Sequence, residues 1–168
     1  MIKSISMKKT IALLFILINL YSFSQVIKPT STLLTDGSKL KVENTDYFIT
    51  PPSGYNYIPE HMGFMNTSKQ TSITVTQHDT TSYYLMISSL LNSDYSVVNA
   101  ELISKEELKN RNGFLFTFLF TVQGKPVERM IYVSGNSENC VVVNCNYKQI
   151  DKEKYLPELK KSAFTITR

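Results

Sequence analysis

The sequence predicts an α+β fold, a single-domain helix–sheet–helix sandwich around a mainly antiparallel sheet with a C-terminal β-meander and a closing helix. Three observations predict it. Residues 112–148 read as three strands joined by two turns, both faces of those strands are apolar, and helical periodicity flanks them on either side in the chain. A sheet that is apolar on both faces needs a layer over each, and here the layers would be helices. A length of 168 residues suits one domain with a real core.

The N-terminus stands apart from that domain. Lys3, Lys8 and Lys9 form a positive region, residues 11–20 are an apolar run, and Ser22-Phe23-Ser24 is a small-x-small cleavage signal. The run is about half of the roughly 20 residues a membrane span requires, so residues 1–24 read as a signal peptide and not as an anchor. Cleavage is expected near Ser24/Gln25. No cysteine precedes Cys140, which leaves no residue for a lipid anchor at that site. The expected mature protein is exported, to the periplasm or the extracellular space, with no transmembrane anchor.

Residues 25–45 carry Pro29, Gly37, Ser and Thr with few large apolar side chains, and read as a flexible lead-in with a short edge strand at 40–43. The domain proper is expected over 46–168. Residues 47–50 form its first strand, Pro51-Pro52-Ser53-Gly54 stops it, and 55–62 follow as an irregular aromatic segment. Residues 63–65 read as a short strand, 66–70 as a turn, and 72–78 as a strand with Ile73, Val75 and Gln77 on one face. Residues 79–94 are the central helix candidate. Asp79, Thr80 or Thr81 can cap it, and Tyr83, Ile87 and Leu90, with Tyr84 and Leu91 beside them, form its apolar stripe. A strand is expected over 97–104 and a turn or a short helical turn over 105–112.

The meander follows. In residues 114–122, alternation places Phe114, Phe116, Phe118, Phe120 and Val122 on one face and Leu115, Thr117, Leu119 and Thr121 on the other. With Gly124-Lys125 as the two loop residues of a type II′ turn, Phe118 faces Ile131, Phe116 faces Val133, and Phe120 opposite Arg129 is the one weak pair. Residues 140–148 return as the third strand. A last helix over 151–163 contains Pro157, so it is expected either to kink there or to begin near Tyr155.

The order of these elements, with Pro52-Ser53-Gly54-Tyr55 after the first strand and Ser162-Ala163-Phe164-Thr165 closing the last helix, resembles a known family. It is similar to the α/β/α sandwich of PsbP-type photosystem accessory proteins, a Ran-binding import factor and DcrB-like envelope proteins. The resemblance covers residues 46–167. It implies an accessory or binding module, and it carries no shared catalytic set to these residues.

Composition excludes several functions. Without the three N-terminal lysines the chain has 15 basic and 14 acidic residues, scattered apart from a lysine-rich last helix, so the basic stripe of a nucleic-acid binder is missing. The sequence contains neither G-x-S-x-G nor H-E-x-x-H, no glycine-rich phosphate loop and no tryptophan. No catalytic, cofactor-binding or metal-binding residues are therefore assigned. His61 and His78, the two histidines, lack ligand spacing on one element. Either would serve as the base of a small hydrolase with a dispersed site.

Two groups remain as candidate sites. Tyr55, Tyr57, His61 and Phe64 fall in the aromatic N-terminal third, where a recognition patch for a protein or small-molecule partner and ordinary core packing explain them equally. Cys140 and Cys145, five apart on a strand, point to opposite faces with Cα atoms about 16 Å apart. A disulfide needs less than about 7 Å, so a bridge requires a broken strand or a second chain. Otherwise they are buried thiols.

Overall fold

The computed structural model describes residues 33–168; the expected signal peptide and residues 25–32 of the lead-in lie outside the described residues. The main sheet has eight strands, all paired antiparallel. In spatial order they are β1 (Leu33–Leu34), β4 (Asn56–Ile58), β5 (Gly63–Asn66), β6 (Thr71–His78), β10 (Cys140–Lys148), β9 (Lys125–Gly135), β8 (Gly113–Val122) and β7 (Ala100–Leu108). A two-stranded ribbon, β2 (Leu40–Lys41) with β3 (Phe48–Ile49), stands beside it. Two helices complete the described fold: α1 (Tyr83–Asn92) and α2 (Lys152–Ala163).

Each helix covers its own face of the sheet. Phe116, Phe118, Phe120, Ile131, Val133 and Val142 pack with Met86 and Leu90 of α1 and with Tyr95. On the reverse, Ile73, Val75, Leu115, Met130, Val143 and Tyr147 pack with Tyr155, Leu159 and Ala163 of α2, joined by Val42, Tyr47 and Ile49 from the ribbon. The alternation in β8 thus feeds two cores at once. Burying a side chain the size of phenylalanine contributes about 1.5–3 kcal/mol, so β8 alone anchors much of the α1 layer.

Several expectations are corrected. The β8–β9 loop is Gln123-Gly124, with φ of 50° and 74°, so it is a type I′ turn and not II′. Phe120 then faces Val127, Phe118 faces Arg129 and Phe116 faces Ile131. The shift along β9 is two residues, which keeps every side chain on its expected face. Ser82 caps α1 by accepting from Leu85 N at 3.2 Å, in place of Asp79, Thr80 or Thr81. Met86 joins Leu90 as the buried stripe, whereas Tyr84 and Leu91 are exposed.

β7 runs over Ala100–Leu108, beyond the expected 97–104. Its charges suggested a turn, but an edge strand carries charges to water, and Lys105 and Glu106 do so here. Residues 33–45 of the lead-in pack onto the domain, with Val42 and Thr45 buried. α2 passes through Pro157 without ending; the proline is on the exposed side, where the carbonyl it leaves unpaired, that of Glu153, meets solvent. Among the described residues no helix is long and apolar enough to cross a membrane.

Candidate functional site

A cleft of about 240 Å³ opens between the end of β3 and the outer side of α2, lined by Thr50, Pro51, Pro52, Glu158, Lys161 and Thr165 among others. Its base is tied together by hydroxyls. Ser162 Oγ donates to Thr50 O at 2.8 Å, Thr50 N donates to Thr165 Oγ1 at 2.7 Å, and Thr165 Oγ1 donates to Ser162 O at 2.7 Å. A bridge between Phe48 and Thr167 extends the seam. One wall is Pro51-Pro52, which ends the strand because proline supplies no ladder N–H. Thr35 holds that wall in place: its Oγ1 donates to Pro52 O at 2.7 Å and accepts from Tyr55 N at 3.1 Å.

The opposite wall carries charge. Glu158 pairs with Lys69 at 2.9 Å and accepts a bond from Tyr55 Oη at 3.3 Å, and Tyr55 Oη also bonds Thr71 Oγ1 at 2.7 Å. Burial pushes the Tyr55 phenol far above its usual range, so it stays a donor at neutral pH. The Lys69 ammonium lies 5.4 Å from the Tyr55 ring centroid and 5.6 Å from that of Tyr155. Lys161, at the exposed rim, makes no ion pair among the described residues. The arrangement offers one cation, one neutralised carboxylate and an apolar proline wall.

The residues singled out in the sequence are dispersed. Tyr55 and Phe64 belong to the α2 core, so the two do not present an open aromatic surface. Tyr57 is half-buried, with its ring 4.9 Å from that of Phe64 and its Oη accepting from Glu43 N. Pairing of β4 with β5 sets Tyr57 opposite Phe64, and that pairing turns both inward. His61 ends a 3-10 turn, Pro59–His61. His78 is half-buried at the end of β6, opposite Cys140, and burial lowers its pKa. Neither histidine lines the cleft. Cys140 and Cys145 are unbridged and fully buried, Cys140 in the α1 core and Cys145 in the α2 core. Among the described residues, no three His, Cys, Asp or Glu side chains converge in a way that could hold a metal.

One linear motif is present that the reading of the chain as lacking catalytic motifs passed over, and other polar groups form a set only in the fold. Ser38-Lys39-Leu40-Lys41 has the S-x-x-K spacing of some acyl-transfer enzymes. Ser38 and Lys39 are irregular and Leu40–Lys41 a strand, not a helix, with both Ser38 and Lys41 exposed, so the helical spacing that would bring lysine to serine is missing. Across the α1 face runs a buried ladder: Arg129 Nε donates to Asn146 Oδ1 at 2.6 Å, and Asn146 Nδ2 donates to Ser72 Oγ at 2.9 Å. The Arg129 guanidinium sits 5.1 Å from the Phe120 ring centroid. Burial pulls its pKa down to about 10, which leaves it charged at neutral pH. On the α2 face the neighbouring Glu128 is equally buried, accepting from Tyr147 Oη at 2.9 Å and paired with Lys152 at 3.1 Å.

No family model and no curated protein matches the sequence. Among solved structures, the chain is similar to a protein of Bacteroides thetaiotaomicron, at 10% identity and a TM-score of 0.38, over 81% of this chain and 43% of that one. It is also similar to LpqN, involved in cell envelope biogenesis of Mycobacterium tuberculosis, at 12% identity and a TM-score of 0.40, over 82% of this chain and 88% of that one. The chain therefore spans less than half the length of the first of these. Both are distant likenesses of fold.

Proposed function

We infer that this is an exported, non-catalytic accessory or binding protein of the bacterial cell envelope, with a PsbP/DcrB-like sandwich as its scaffold. Export rests on the expected signal peptide cleaved near Ser24/Gln25. The observation that carries the binding role is the cleft beside α2, whose rim has a cation, Lys161, and whose walls contain no imidazole or thiol. The cysteines lie in separate cores and the histidines on other elements. A space of this size suits a small carboxylate-bearing ligand or one terminus of a peptide, held by Lys161 against the proline wall.

Amide chemical-shift mapping of residues 25–168 with a panel of amino acids and short peptides tests the reading. Shifts are expected to centre on residues 50–54 and 158–165, and to vanish in Lys161→Glu. Turnover of an ester, peptide or glycoside, abolished by one substitution at Ser, His or Asp, would instead establish the small hydrolase with a dispersed site.

A further inference from the structure

We propose that the outer face of α1 is a self-association surface, and that its occupant is a second copy of this chain packed antiparallel about a two-fold axis. None of the ten residues of Tyr83–Asn92 is charged. A surface helix ordinarily buries one apolar stripe and shows a charged face to water. Here the inner stripe is Met86 and Leu90, yet the outer side carries large apolar side chains among its uncharged polar ones: Tyr84 is 71% exposed, Leu85 54%, Leu91 38%, and Val97, just past the helix, 67%. Single exposed apolar residues are ordinary, but a contiguous patch of them marks an interaction surface.

The shape and the charge of this face both favour the same occupant. Tyr84, Ser88 and Leu91 follow i, i+4, i+7 spacing and so form one ridge, with the small residue in the middle. A two-fold axis at Ser88 lays serine on serine, lets the backbones approach, and sets the Tyr84 ring of each copy on Leu91 of the other. α1 has no acidic residue in its first turn and no basic residue in its last. Its own side chains therefore leave the helix dipole unbalanced, and an antiparallel neighbour supplies the opposite partial charge at each end. Asp94, whose carboxylate accepts from Ser96 at 2.6 Å, comes alongside the first turn of the other copy, where negative charge is favoured. The same aspartate disfavours an anionic lipid surface. A ten-residue helix is about 15 Å long, which places the contact in the small, reversible class of interface below about 1,200 Å².

The test is sedimentation equilibrium of residues 25–168 from micromolar to millimolar concentration, with Tyr84→Glu and Ser88→Cys variants. The expected result is a concentration-dependent dimer, weakened at least tenfold by Tyr84→Glu with unchanged circular dichroism. Ser88→Cys should form a covalent dimer on mild oxidation, since the two native thiols are buried. A monomer at every concentration, or a dimer indifferent to Tyr84→Glu, overturns the proposal. So does binding of neutral phosphatidylcholine vesicles that Tyr84→Glu abolishes in a protein that stays monomeric, because the face would then belong to a lipid surface.

Discussion

Gly63 stands where β5 begins, opposite Thr74 of β6, and its replacement by alanine should be one of the costliest single-atom changes in this protein. A methyl group there would lie 2.3 Å from the carbonyl oxygen of Ile73, 3.0 Å from Thr74 Cγ2 and 3.1 Å from Thr74 Cα. Two of these are backbone atoms of a central strand and cannot swing aside. Relief requires β5 to retreat by roughly 1 Å to restore ordinary contact distances. That movement stretches the adjacent bond from Val75 N to Met62 O, now 3.0 Å, out of hydrogen-bonding range.

With one or two ladder bonds lost and their buried groups unsatisfied, the cost is about 2–4 kcal/mol. For a domain of this size that lowers Tm by about 10 °C. Gly124→Ala is the control: its φ is +74° and nothing lies within 4 Å of the added carbon, so only the left-handed conformation is penalised. That penalty is about 1–2 kcal/mol. Urea and thermal unfolding followed by circular dichroism measure both variants. Equal effects from the two would refute the close-approach argument. Because β5 ends at Asn66, whose Nδ2 donates to Gly54 O at 2.8 Å, the first variant should also loosen the proline wall of the cleft.

Three further outcomes are expected. Lys152→Met leaves the buried Glu128 carboxylate held by the Tyr147 hydroxyl; since Lys152 is itself partly in water, urea melts should show a loss of about 2–3 kcal/mol, below that of a fully buried pair. Both thiols should resist Ellman's reagent in the native state and react fully in urea, because burial removes access and pushes Cys140 up to about 11 and Cys145 higher still. His78 should titrate below the ordinary histidine range by NMR. Since its folded pKa lies under its unfolded one, the unfolded chain binds the extra proton first. Stability is therefore full above the unfolded value and falls as pH drops toward the folded one, and His78→Gln should flatten that slope.

Much of the fold was legible because period-2 patterning is a strong signal when both faces are buried. β8, with Phe and Leu or Thr alternating, and β10 were bounded correctly by it. The loop register was not, because Gln123 has no obvious preference for positive φ and Gly124 fits either central position of a primed turn. β7 was misjudged because charge on an edge strand looks locally like charge on a turn. The cleft was invisible for a different reason. Its parts, Thr50 and Thr165, are 115 residues apart, and their hydroxyl bonds carry no local pattern. The aromatic third stayed open in the same way: whether Tyr57 and Phe64 face inward depends on a strand pairing and not on composition.

The order of strands has a consequence for when this chain can fold. β6 does not pair with β7, which follows it, but with β10, so that Ser72 meets Asn146 across 74 residues of sequence. The first half of the sheet has no central neighbour until the last strand exists, and the Phe48–Thr167 bridge waits for the final residues. Long-range pairing of this kind slows folding, since the loop must close before the contacts repay it. On the export proposed above, such lateness would keep the emerging half of the chain open during its passage. Closure comes with β10 and α2, once nearly all of the described strands are present.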